Sequence, residues 1–94
     1  MVLRSPRIVC AAVRYPGGEM LVGPRHFDSV MLMQYRALRI QYEEDESEKG
    51  FVDQDGKFYT RLEAWRLAQE TQQIRHRVSG DEAHGGTLFS ENLY

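Results

Sequence analysis

The alternation of apolar and polar positions divides the chain into two rounds of extended segment, turn and helix. Residues 7–15, RIVCAAVRY, are apolar and β-prone, with Ile8, Val9 and Val13 between Arg7 and Arg14, and they read as a strand. Pro16-Gly17-Gly18 is a turn signal. Glu19 to Val22 returns as a second strand, so 7–22 is predicted to be a hairpin that Gly23-Pro24 stops. From Phe27 the period changes: Phe27, Val30, Met31, Gln34, Tyr35 and Leu38 fall at helical spacing. Asp28 suits the positive end of that helix, and Arg36 and Arg39 suit its negative end near Ile40.

The second round begins at Phe51. Residues 51–59 form two short extended arms around Asp55-Gly56. Thr60 with Glu63 matches the capping box, a hydroxyl at the cap and a carboxylate three residues on. The helix that follows carries Leu62, Trp65 and Ala68 on one stripe, with Ala64, Leu67, Thr71 and Ile74 beside it. It should run to about Gln73 or Ile74, with Arg75, His76 and Arg77 at its negative end. Residues 79–86 read as a loop and Thr87-Leu88-Phe89 as a short terminal strand. Two helices that each follow a hairpin argue for α+β: a small antiparallel sheet built from hairpins with two helices packed on it. No linker or repeat divides residues 1–94, so one domain is expected.

Charge changes this picture in one place. Five of the fourteen acidic residues sit at Glu43, Glu44, Asp45, Glu46 and Glu48. A like-charge run with no apolar face reads as a solvated loop at about 42–49. Its functional alternative is an acidic docking segment or a metal site, but nothing there alternates ligand and spacer as a calcium loop does. Outside 43–48 the chain holds 12 cations against 9 acids, and ten of the cations are arginines. Arginine grips phosphate with a planar fork, although it also serves as an ordinary surface cation. Cys10 is the single cysteine, so no disulfide within the chain is expected. No apolar run approaches the roughly 20 residues of a membrane span, and MVLRSPRIVC lacks the apolar stretch of a secretory signal. The expectation is a protein that stays in the compartment where it is made. A core this small makes self-association a natural way to bury more surface. The end GGTLFSENLY carries Leu88, Phe89, Leu93 and Tyr94, too apolar for a free tail. It is expected to pack as a strand on the core or on a neighbour, in at least a dimer.

The residue types needed for catalysis are poorly placed. His26, His76 and His84 lie in three different elements, without the spacing of a metal site. Cys10 lies inside an apolar strand, and the serines at 5, 29, 47, 79 and 90 lack a nucleophile elbow. Turn chemistry explains Asp53 and Asp55. Neither Gly17-Gly18 nor Gly85-Gly86 is a phosphate loop. What remains is a set of residues at element ends: Arg25, His26, Phe51, Thr60 and Arg77. A ring to stack a base and arginines to hold phosphates are the minimum kit for a nucleotide. Two readings stay open, since Phe51 can equally be core and the arginines solvated.

The strings RIVCAAVRYPGGEMLVGPRHFDSVM, GFVDQDGKFYTRLEAWRLA, QQI and LFSENLY carry a resemblance. Over residues 7–94 the chain resembles a family of small phage-encoded proteins, the anti-Thoeris sponges. The resemblance implies a phage protein that blocks a bacterial antiphage system by sequestering its signal, a cyclic ADP-ribose isomer made by a TIR-domain enzyme. Cyclic oligonucleotides are a second implied ligand class. The implied pocket lies between subunits of a dimer or higher homo-oligomer. By motif position its residues are Arg25, Phe51, Thr60 and Arg77, with His26 completing the Arg-His joint. The resemblance implies binding without cleavage in the host bacterial cytoplasm; the residues themselves lead to the expectation of no catalytic set and no metal, and no cofactor, membrane or nucleic-acid polymer is expected. Thr60 stands where relatives often have Asn or Asp, and Gln72 stands where they have Gly. The alternatives are an enzyme that degrades such a signal and an inhibitor that binds a host protein through the acidic loop.

Overall fold

The computed structural model describes residues 6–82 and 85–93. Its centre is a four-stranded antiparallel sheet in the order β2-β1-β3-β4. The strands are β1 (Ile8–Arg14), β2 (Met20–Gly23), β3 (Glu48–Asp53) and β4 (Phe58–Thr60). Both expected hairpins form. In the first, Arg14 opposes Met20 and Ala11 opposes Gly23. In the second, Asp53 Oδ1 accepts from the N–H groups of Asp55 and Lys57, its Oδ2 accepts from the Tyr59 hydroxyl, and Gly56 takes the positive φ the turn needs. The hairpins join because β1 also pairs β3, with Ala11 opposite Phe51. The register slips between Ile8 and Cys10, which leaves Val9 46% exposed inside an otherwise apolar strand.

Alternation decides which side chains enter the core. Ala11, Val13, Leu21 and Phe51 share a cluster with Met31 of helix α1 (Ser29–Ala37) and with Ala64, Trp65 and Ala68 of helix α2 (Arg61–Glu70). On the other face Phe58 lies across Gly50, where any Cβ would collide with the Phe58 ring and the Tyr59 carbonyl. Arg14 closes that face, with its guanidinium 4.2 Å from the Phe58 ring centroid. This is the α+β architecture expected, with both helices on the sheet.

The boundaries differ from expectation for identifiable reasons. α1 begins only at Ser29 because Asp28 is its N-cap, with Oδ1 accepting from Met31 N–H at 3.0 Å. Both helices end in a Schellman turn. Arg39 and Gln72 occupy the left-handed position at φ 52° and 57°. Ile40 N–H returns to Tyr35 O, and Gln73 N–H returns to Ala68 O. α2 therefore stops at Glu70, short of 73–74, and Gln73 turns aside. Its amide accepts from Ile8 N–H and donates to Ile8 C=O, at 2.9 and 2.8 Å. Gln34 does the same for Val22, which closes the β2 edge of the sheet.

The acidic stretch is only partly a solvated loop. Glu44–Glu46 is a 3-10 turn, and β3 starts inside the run at Glu48. Cross-strand Arg14 pairs with Glu48, and Lys49 lies 3.8 Å from Glu44. The terminal strand expected at 87–89 is absent. Leu88 is fully buried, but its N–H goes to Arg61 O on α2 and Phe89 N–H goes to Asn92 Oδ1, so neither extends the sheet. The end therefore packs on the core through a 3-10 turn, Ser90–Asn92. Buried Asn92 ties it down, its Nδ2 donating to His76 O at 2.8 Å and its main-chain carbonyl accepting from the N–H groups of Arg75 and His76. His84 and Tyr94 lie outside the described residues.

Candidate functional site: the joint before α1 and the start of α2

The joint between β2 and α1 is built by Asp28. Its Oδ2 accepts from Arg25 N–H at 3.1 Å while Oδ1 caps the helix. Phe27 sits in the left-handed region at φ 54°, which is uncommon for an aromatic residue. His26 faces the sheet. Its Nε2 lies 2.7 Å from Gly50 O, and because a carbonyl only accepts, Nε2 carries the proton. The ring meets Phe51 edge-on at 5.0 Å and 84°. Burial holds the imidazole below its ordinary pKa; the Gly50 bond opposes this, Arg61 and Lys49 reinforce it, and Glu91 opposes it.

Phe51 is 0% exposed. Its ring is core in this chain and offers no face to a base. The reason is the Ala11–Phe51 register, which points Phe51 inward beneath α2. Arg25 reaches the far end of the chain, with Nη1 3.4 Å from Glu91 Oε1. Thr60 is the N-cap of α2 as its sequence implies. Its Oγ1 accepts from Glu63 N–H at 3.2 Å, and Glu63 Oε1 accepts from Thr60 N–H at 2.9 Å.

Arg77 belongs to a different set of neighbours. It forks onto Asp81 at 2.9 and 3.0 Å, reaches Glu82 at 2.8 Å, and lies 5.8 Å from the Trp65 ring centroid. The hydrogen bonds to Asp81 and Glu82 raise the pKa of Arg77, and those from Arg77 and Val78 N–H lower that of Asp81. Arg25, His26 and Phe51 thus come together within one chain, and Arg77 does not join them.

Two residues missed in the sequence complete the cluster. Arg61, the first residue of α2, lies over the Phe89 ring at 5.2 Å, and its Nε is buried without a hydrogen-bond partner. Burial lowers its pKa, partly offset by Glu91. An unpaired guanidinium N–H in a protein interior costs free energy unless something accepts it. The adjacent cap at Thr60 was the available signal, since N1 of a well-capped helix is a fixed position. Phe89 carried no such signal, because its place depends on the fold of the terminal segment.

The site therefore contains two arginines, one neutral imidazole, one half-buried aromatic ring and one carboxylate, Glu91, shared by the cations. That composition suits a phosphate-bearing ligand with a flat ring. Among the described residues no three His, Cys, Asp or Glu side chains converge as a metal set, and no helix is long and apolar enough to cross a membrane. The family model of the phage T4 y16D protein matches residues 7–94. The chain belongs to that family. It is thus a phage protein. No curated protein and no solved structure matches it significantly.

Proposed function

We propose that this phage protein is a sponge, binding a cyclic nucleotide immune signal of the host cytoplasm without cleaving it. A cyclic ADP-ribose isomer is the first ligand, and cyclic oligonucleotides are the second class. The observation that carries the reading is the buried, unpartnered Nε of Arg61, which shares the charge of Glu91 with Arg25 and lies near His26 and over Phe89. Here the arginines hold phosphate, and Phe89 and His26 take the stacking role that the resemblance gave to Phe51. Glu91 is the resident anion that the phosphate displaces from Arg25.

Assembly belongs to the same reading. α1 leaves Val30, Leu32 and Met33 at 44–70% exposure, with Leu38 at 52% just past its end. Such a surface suits a second copy. Arg77 then enters the pocket from the neighbouring subunit, exchanging Asp81 for phosphate. Incubation with a panel of cyclic nucleotides, filtration, heat release and mass spectrometry tests the reading. A sponge returns one ligand intact and in stoichiometric amount. A linear product would instead support an enzyme. A nucleotide-insensitive complex with a host protein would support an inhibitor.

A further inference from the structure

A basic cavity opens where the start of β1 meets the segment after α2. It has a volume of about 460 Å³ and is lined by Arg7, Gln72, Arg75 and His76 over an apolar floor that includes Ile8 and Leu93. None of its lining residues belongs to the cluster around Arg25 and Arg61. We propose that this cavity is a separate binding site for a small phosphate-bearing molecule, gripped by Arg7 and Arg75 with His76 as a third donor.

Three observations support it. The first is charge. Among the described residues, three basic ones line the cavity and no acidic one does. The run Arg75-His76-Arg77 shows the contrast. Arg77 is taken by Asp81 and Glu82, whereas the side chains of Arg75 and His76 have no acidic partner among the described residues. The need to cap α2 does not explain them, because the Schellman turn already supplies backbone donors to Ala68 O and Gln69 O.

The second is rigidity. The backbone beneath the cations is held by two side-chain amides. Gln73 binds both the N–H and the C=O of Ile8, the neighbour of Arg7, and is itself held by the Thr71 hydroxyl at 2.7 Å. Fully buried Asn92 fixes the other wall through its Nδ2 bond to His76 O, while its main-chain carbonyl accepts from the N–H groups of Arg75 and His76. Cations on a fixed backbone lose less freedom when they close on an anion, which favours binding.

The third is Gln72. It is held at positive φ, where glycine would be unstrained, and its residue lines this cavity. An amide there supplies both a donor and an acceptor to a ligand. The apolar floor favours an organic phosphate over the free ion.

The test is titration of the 15N-labelled protein with ADP, pyrophosphate and adenosine, following backbone amide shifts. ADP should move the amides of Ile8, Val9, Gln72, Arg75 and His76, pyrophosphate should move the same set more weakly, and adenosine should move none. Arg7→Ala with Arg75→Ala should weaken ADP by about tenfold or more. Arg7→Lys with Arg75→Lys keeps the charge, secures the fold, and should still weaken ADP several-fold by removing the forks. Arg66→Ala, an exposed cation elsewhere on α2, should leave affinity unchanged. The proposal is overturned if ADP up to about 10 mM, beyond the weak end of useful affinities, moves none of these amides. It is equally overturned if the shifts fall only around Arg25 and Arg61, or if Arg66→Ala costs as much as the Arg7 and Arg75 changes.

Discussion

Phe51 shows how far single residues were legible. Its sequence context allowed a stacking platform or a core residue, and alternation alone could not choose. Register chooses: opposite Ala11 the ring is wholly buried. Phe51→Ala should therefore cost about 3–5 kcal/mol, seen as a large fall in melting temperature, and ligand should be lost only as the protein unfolds. A variant that stays as stable as the parent yet loses ligand would place the ring in the pocket instead. His26 was legible as part of a joint, but its bond to Gly50 needed the fold, because Gly50 lies 24 residues away. Its pKa is lowered by burial from an ordinary value of 6.5. Between the folded and unfolded pKa values the unfolded chain binds more protons. His26 therefore contributes stability that is fully present above about pH 6.5 and lost as the pH falls through the folded value. Denaturant midpoints across pH 7 to 5 should fall in the parent and fall less in His26→Gln. Equal slopes would remove His26 as the cause.

At the scale of elements, local signals performed well and long-range ones did not. The Thr60–Glu63 capping box and the Asp55-Gly56 turn formed as read, because each is decided by a few neighbouring residues. The end of α2 was placed too late because Thr71 and Ile74 continue the apolar period, while Gln73 is drawn off to Ile8, 65 residues away. The terminal strand failed for a similar reason: β propensity at Leu88 and Phe89 yields to bonds with Arg61 and Asn92. The helix ends give a sharp prediction. Arg39 and Gln72 hold left-handed conformations that cost a non-glycine residue about 1 kcal/mol or more. Arg39→Gly and Gln72→Gly should each raise stability by about 0.5–1 kcal/mol, read from denaturant midpoints at constant slope. Destabilisation by both would show that the side chains supply more than the backbone loses.

For the whole molecule, the proposed assembly rests on the exposed apolar side chains of α1. Light scattering at micromolar concentration should give at least a dimer, and Met33→Glu should shift it toward monomer with little change in melting of the chain itself, since Met33 is 70% exposed. A monomeric parent would leave Arg77 without a route to the ligand. The central claim is that Arg25 and Arg61 hold the phosphate of a cyclic nucleotide. It is tested most directly by calorimetric titration of a cyclic ADP-ribose isomer into the parent and into Arg25→Ala, Arg61→Ala and Arg77→Ala, each with its melting curve. The expected result is tight binding by the parent and a loss of about 1.5–3 kcal/mol for each arginine removed, with all three variants still folded. Folded Arg25→Ala and Arg61→Ala proteins that bind every cyclic nucleotide as well as the parent would contradict it.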